Sequence, residues 1–344
     1  MNKHIKNGIA GLAALVLFMC GSGASFAKGL AGKSLNEQLD TVRKAIAQKK
    51  ANWVAGETSL SNLSFEEQQR TVGLNFQLPN VPPLPENLLT SVRPPASVDW
   101  RALGVVGKVK NQGQCGSCWA FALTAGLESY VMRGPSGLRE VDLSEQVMLS
   151  CSGVGSCNGG TLDGDFLIET GVPPADYFPY TAADTDCGEA KEGWKEKAYK
   201  IKTWGSVPRD LNRIKTALAQ YGPVPTALWV YEDLMHYKSG VYSYTTGRKL
   251  GGHAVLLVGY NDAEHYFLAK NSWGTKWGEE GYFKVDYSQL NTVVTFGLMT
   301  IAYTSEPDKA LALPTFMKLP EVDTELVREN SRTLSRAGRS LSRS

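Results

Sequence analysis

The chain has 344 residues with 36 basic and 34 acidic side chains, a formal net charge of +2, so no strong overall field draws it to nucleic acid or to an anionic membrane surface. A hydrophobic fraction of 42% with 8 Trp, 14 Tyr and 11 Phe is too apolar for a disordered chain, and 35 Gly with 16 Pro imply many turns. The length suffices for a large core or for two packed units, and a histone-like or polybasic protein is excluded.

In chain order, Lys3 and Lys6 precede an apolar run at 9–20 and the small-residue site Ser25-Phe26-Ala27. This is the layout of an export signal cut after Ala27, because a membrane span takes about 20 apolar residues and the run is shorter. Bulky Met19 argues against lipid attachment at Cys20. Leu35, Leu39, Val42 and Ile46 then fall on one face of a helix. Prolines 79, 82, 83, 85, 94 and 95 impose extended geometry, which reads either as a spacer or as a strap that lies in a groove and is cut on maturation.

Beyond Val98, the stripe Leu123, Leu127, Tyr130 and Val131 predicts a helix after Cys118, and Asp142 with Glu145 predicts a capping box for a helix running to Cys151. Residues 166–169 suggest a third helix. Leu211, Ile214, Leu218 and Tyr221 mark a fourth, stopped by Gly222-Pro223. The pattern then changes to short β-rich runs at 226–230, 241–244, 254–260, 266–269, 282–285 and 293–303, which predict antiparallel strands. A helical half followed by a β half predicts an α+β fold with a cleft between two subdomains. The tail 305–344 ends with Arg332, Arg336, Arg339 and Arg343 among serines and no acid, a solvated end or else a docking element.

Loss of Cys20 with the signal leaves Cys115, Cys118, Cys151, Cys157 and Cys187. In an oxidising compartment an odd number leaves an intermolecular bridge or a free thiol. Glycines 113 and 116 permit tight backbone around Cys118, and its place at a helix N-terminus favours the thiolate. Among the histidines, His4 leaves with the signal, His236 sits between Met235 and Tyr237, and His265 lies in a turn. His253 follows Gly251-Gly252 and opens a strand, which suits an acid/base imidazole. Asn271 can orient that ring, and Gln112 can aim its amide, beside the Cys118 N–H, at a developing oxyanion. Cys115-Gly116-Ser117-Cys118 lacks both a second Cys/His pair for zinc and a βαβ setting for redox chemistry, so no metal and no cofactor is expected.

These residues carry a resemblance to the papain-like cysteine proteases, over roughly 95–304. It rests on the stretch 112–121, on Cys157-Asn158-Gly159-Gly160, on Gly252-His253-Ala254-Val255, and on Asn271-Ser272-Trp273-Gly274 followed by Trp277-Gly278. The resemblance implies Cys118 as nucleophile, His253 as acid/base, Asn271 as orienter, Gln112 in the oxyanion hole and Trp273 shielding Asn271. It implies backbone bonds from Gly160, next to Gly159, to an extended polypeptide substrate, and a pocket for the second acyl-side residue formed by Leu162, Ala227, Gly251 and Ile301. Bridges Cys115–Cys157 and Cys151–Cys187 are implied as well, with Phe296 standing where many relatives carry a cysteine of a third bridge.

Upstream, Trp53-Val54-Ala55-Gly56 and residues 60–73 look like the short prosegment of cathepsin B-like enzymes, but no occluding insertion is found between Gly160 and Cys187. The expected organisation is a signal peptide at 1–27, an inhibitory prosegment with its Pro-rich linker at 28–94, a peptidase domain at 95–304 and a tail at 305–344. The protein reads as a monomeric, exported zymogen of an endopeptidase, inhibited by its own prosegment and without a stable membrane span. Its compartment is periplasmic or extracellular in a bacterium, secretory or lysosome-like in a eukaryote. The rival reading is a catalytically silent papain-fold binding or scaffold protein.

Overall fold

The computed structural model describes residues 29–76, 81, 83–85, 89 and 93–304. The export signal, Cys20 and the Arg/Ser-rich tail lie outside the described residues. Helix α1, Leu35–Lys49, starts in a capping box in which Ser34 and Glu37 satisfy each other's backbone N–H, and it stops at Lys50 in the left-handed region with φ 52°. It buries Leu39 and Val42 of the predicted stripe. Strand β1, Asn52–Ala55, alternates exposed and buried side chains, turning Trp53 and Ala55 inward. A second capping box, Ser64 with Glu67, opens α2, Phe65–Arg70.

After β2, Ser97–Asp99, helix α3 runs from Cys118 to Arg133 and is buried on almost every face. The predicted apolar stripe was therefore only part of the buried surface of a central helix. Helix α4, Glu145–Cys151, is capped by Ser144, whose Oγ accepts from Val147 N at 3.0 Å, and not by Asp142. Asp142 instead pairs with Lys110 at 2.7 Å. Short strands β3, Gly155–Ser156, and β4, Gly159–Gly160, face each other, and α5, Asp165–Glu169, follows.

Strand β5, Thr203–Ser206, and α6, Leu211–Tyr221, lead into the β half; α6 ends at Gly222 with φ 86°. There β6 (Val224–Tyr231), β7 (Tyr237–Tyr242), β8 (Lys249–Asn261), β9 (Tyr266–Lys270) and β10 (Tyr282–Asp286) form one seven-stranded sheet with β1 and β2, in the order β1-β7-β10-β9-β8-β2 with β6 also on β8. Its pairings are antiparallel except β10 with β7. Ala125 of α3 packs on Leu256 and Val258 of β8 and Leu268 of β9, joining the two halves. The strand expected across 293–303 shrinks to β11, Ile301–Thr304, paired with β5. Thr295, Gly297 and Met299 all have positive φ, which a strand cannot accommodate.

The bridges Cys115–Cys157 and Cys151–Cys187 are formed, and Cys118 is free and buried. They span 42 and 36 residues, which in the chain-entropy picture stabilises by roughly 4 kcal/mol each. Phe296 is fully buried with its ring 5.7 Å from that of Phe267, so core packing fills its position.

Candidate active site

Cys118 is the first residue of α3, with no side-chain cap ahead of it, so its sulfur sits among free amide hydrogens at the positive end of the helix dipole. The loop before it is pinned by the Cys115–Cys157 bridge and by Gly116 N donating to Cys157 O at 2.8 Å. His253 stands in the middle of β8 and does not open it: the strand begins at Lys249. Gly251 and Gly252, expected ahead of the strand, belong to the ladder, opposite Val230 and Trp229. Ala254 N–H hydrogen-bonds the Cys118 sulfur, which brings this strand against the helix end.

The imidazole is held from two sides. Its Nε2 bonds Asn271 Oδ1 at 2.8 Å, and the Trp273 indole stacks on the ring at 4.5 Å between centroids and 25° between planes. Nδ1 has no hydrogen-bond partner and is left for a proton from elsewhere. Asn271 directly follows β9, whose last residue Lys270 is buried near Glu128 of α3 at 3.9 Å, while Lys110 joins Glu128 at 2.9 Å and Glu145 at 2.7 Å. This buried charge cluster ties the Asn271 segment to the helix that carries Cys118. Gln112 is fixed as firmly: its Oε1 accepts from Ser272 Oγ at 2.6 Å, and its Nε2 donates to Cys115 O at 2.8 Å.

The cleft is filled by the chain's own residues 71–76. Thr71 O accepts from Gln112 Nε2 and from Trp273 Nε1, both at 3.0 Å, and Gly73 N–H hydrogen-bonds the Cys118 sulfur. Gly73 O accepts from Gly160 N at 2.9 Å, Leu74 N donates to Gly252 O at 2.9 Å and Asn75 N to Gly160 O at 2.7 Å. A side chain at 73 would collide with the backbone of Gly116, so glycine is required for this close seat. The Pro-rich strap was expected across the cleft; of its described residues, Pro83 and Leu84 lie along β5, with Leu84 N on Ser206 O at 2.9 Å, and Pro95 O accepts from Tyr260 of β8. The cleft is closed upstream of the prolines.

Enclosure sets the protonation states. Burial pushes the Cys118 thiol up to about 11, against the pull of the N–H groups of Ala254, Gly73, Trp119 and Cys118 itself. Burial likewise takes His253 down to about 4, opposed by its bond to Asn271. Thiol and imidazole are therefore both neutral at pH 7 while residues 71–76 are in place.

The fold thus brings Cys118, His253, Asn271, Gln112, Trp273, Gly160 and Gly251 to one cleft; a Cβ at 251 would stand 2.8 Å from Val72 Cγ2. Gly159 lies beside Gly160 with φ 121°, and Leu162, Ala227 and Ile301 are fully buried. Ser272 was visible inside a motif but had no role until its bond to Gln112 was seen. Tyr180, whose hydroxyl donates to Gln112 O at 2.9 Å and meets Ser117 Oγ at 2.6 Å, carried no sequence signal at all. Among the described residues, no group of three or more His, Cys, Asp or Glu could hold a metal ion, and no helix is long and apolar enough to cross a membrane.

A free thiol at a helix end, an amide-oriented imidazole and a cleft between a helical and a β half define the class. Residues 94–300 match the family described as papain family cysteine protease, and the chain belongs to that family. It is 36% identical over 258 residues to the Oryzain beta chain of Oryza sativa subsp. japonica, covering 72% of this chain and 52% of that one. It is 37% identical over 206 residues to a Cysteine proteinase of Trypanosoma brucei brucei, covering 58% and 45%. The chain spans about half the length of these curated relatives. Among solved structures, digestive procathepsin L2 proteinase from the Tenebrio molitor larval midgut is similar with a TM-score of 0.67 at 29% identity, over 78% of this chain and 89% of that one.

Proposed function

We propose that the chain is the latent precursor of an exported cysteine endopeptidase. The observation that carries this reading is the seating of residues 71–76: a carbonyl on Gln112 Nε2 and an amide N–H on the Cys118 sulfur. The Gly73 N–H is directed at the thiol, so the segment occupies the site. Its run is parallel to Gly160.

Once residues 71–76 leave, water and substrate reach the cleft and Cys118 can pass its proton to His253 Nδ1. The thiolate attacks the scissile carbonyl carbon, and the oxygen takes the electron pair under the Gln112 amide and the Cys118 N–H. Collapse of that adduct expels the amine, which takes the proton from His253. Water, deprotonated by the same imidazole, then releases the acid and returns the thiol. Asn271 and Trp273 keep the ring in the plane this shuttle needs.

The pocket for the second acyl-side residue is assigned to Leu162, Ala227, Gly251 and Ile301. With no charge among them, they favour Leu, Val or Phe and exclude Asp, Lys and Arg. Export rests on the basic, apolar and small-residue pattern at 1–27, and the boundary of the mature chain is placed between about 88 and 96, within the Pro-rich stretch. Profiling of peptide libraries with the matured protein tests the reading. Cuts within peptides after a residue preceded by an apolar one, abolished by Cys118→Ala, are expected; sequential dipeptide release from the C-terminus or Arg at the second position contradicts it.

A further inference from the structure

Trp229 is a large aromatic beside the cleft that the chemistry above does not use. Strand β6 turns Leu228 and Val230 fully inward and leaves Trp229 half-buried. Its partner across the β6–β8 ladder is Gly252, next to His253. With no side chain at 252, a slot is left in front of the indole, and Phe76 fills it. The two ring centroids lie 4.0 Å apart with planes tilted by 48°, and Phe76 Cε2 lies 2.5 Å from where a Cβ at 252 would stand. Leu74, two residues earlier, is bonded to Gly252 O, so the chain that delivers Phe76 follows the same wall as the imidazole. Lys249 Nζ sits 4.1 Å from the indole centroid, a cation–π contact that steadies the ring.

Phe76 leaves with the rest of residues 71–76 on activation, which uncovers an indole face beside His253. We propose that Trp229 and the gap at Gly252 form an aromatic-selective subsite of the mature cleft, one that takes a Phe, Tyr or Trp side chain of the polypeptide substrate. It rests on the peptidase reading, and it adjoins the aliphatic pocket, since Trp229 and Ala227 lie two residues apart on one face of β6. Tilted aromatic pairs gain energy beyond the area they bury, because the edge of one ring meets the face of the other. A substrate Lys or Arg would meet the like charge of Lys249 there, and an aliphatic side chain would fill the slot without the ring contact.

The test uses the matured protein and peptides in which each of three positions on either side of the cut is varied among Ala, Leu, Phe, Trp and Lys on a fixed apolar background. At one position Phe or Trp should raise kcat/KM about tenfold over Ala, with Lys below Ala. The position itself tells whether the subsite serves the acyl side or the leaving side. Trp229→Ala should bring the Phe-to-Ala ratio at that position close to one, while Trp229→Tyr retains most of it. Titration of the Cys118 thiol in each variant confirms that the site is assembled. If no position separates Phe from Ala, or if the ratio survives Trp229→Ala, the subsite is refuted; continued Cys118-dependent cutting in that case leaves the peptidase reading standing. Absence of any Cys118-dependent hydrolysis by the unmutated matured protein removes both.

Discussion

At the scale of single residues, burial in the filled cleft keeps Cys118 and His253 neutral, with the thiol up to about 11 and the imidazole down to about 4. Alkylation of Cys118 by iodoacetamide in the full chain should therefore be slow at pH 7 and rise only in alkaline solution. After removal of the prosegment it should be fast at pH 7, followed by mass spectrometry of the peptide that holds Cys118; equal rates before and after would contradict the enclosure. Gln112→Ala in the matured protein should lower kcat by about 10²-fold to 10³-fold with little change in KM, since its amide meets charge that exists mainly in the transition state. Ser272→Ala should act in the same direction but more weakly, because it loosens the 2.6 Å bond to Gln112 Oε1 and leaves the donor in place. A rise in KM alone for either variant would remove the oxyanion role.

Between elements, the segment before residue 77 is held to the β half by more than its passage through the cleft. Strand β1 adds an edge to β7, Glu232 accepts from Leu30 N and Ala31 N at 3.1 Å, and His236 Nδ1 lies 3.0 Å from Ser61 Oγ. Burial pulls His236 down to about 4, opposed by Glu232, and its Nε2 has no partner. From the ordinary value of 6.5 down to about 4 a released His236 binds a proton that the docked one refuses, so docking weakens as pH falls through that window. His253 acts in the same sense. Glu145, raised to about 7, and Asp233, raised to about 6, act in the opposite sense: they hold protons when folded and gain stability as pH falls. Their hydrogen-bond partners lie outside residues 29–76, so they offset the effect on global unfolding more than the effect on docking. In a Cys118→Ser precursor, limited proteolysis within 29–76 should accelerate between pH 6.5 and 4, and His236→Gln should flatten that rise; a rate independent of pH would contradict it. Gly73→Val should push the segment off Gly116 and give the uncut precursor measurable peptidase activity, whereas an unchanged, silent precursor would show that the seat at 73 does not matter.

Across the whole molecule, the residues legible in advance were those whose types suggested chemistry and which the fold gathers in one cleft, Cys118, His253, Asn271 and Gln112, while the bridges Cys115–Cys157 and Cys151–Cys187 were implied by the family resemblance and are formed. Helix α1 was legible because its apolar residues recur on one face, of which Leu39 and Val42 are buried; its capping box was seen only in the structure. Which residues of the expected inhibitory segment fill the cleft was not legible, because they are held through the backbone groups of Thr71, Gly73, Leu74 and Asn75, which leave no pattern of residue types. For the same reason the prolines, which do leave a pattern, attracted a role that belongs upstream of them. Gly251 and Gly252 were read as space ahead of a strand when they are space within it, cleared for Val72 and Phe76. The 293–300 stretch misled because its β-branched and aromatic residues fit a strand, while three positive φ values wind it into turns. The central claim is that this chain is a Cys118 peptidase silenced by its own residues 71–76, and it is tested by hydrolysis of one apolar peptide before and after limited proteolysis in the Pro-rich stretch. The expected result is no turnover from the intact chain, turnover after cutting, and its complete loss when a single carboxamidomethyl group is found on Cys118. Turnover by the intact chain at the matured rate, or turnover that persists in Cys118→Ser, would contradict it.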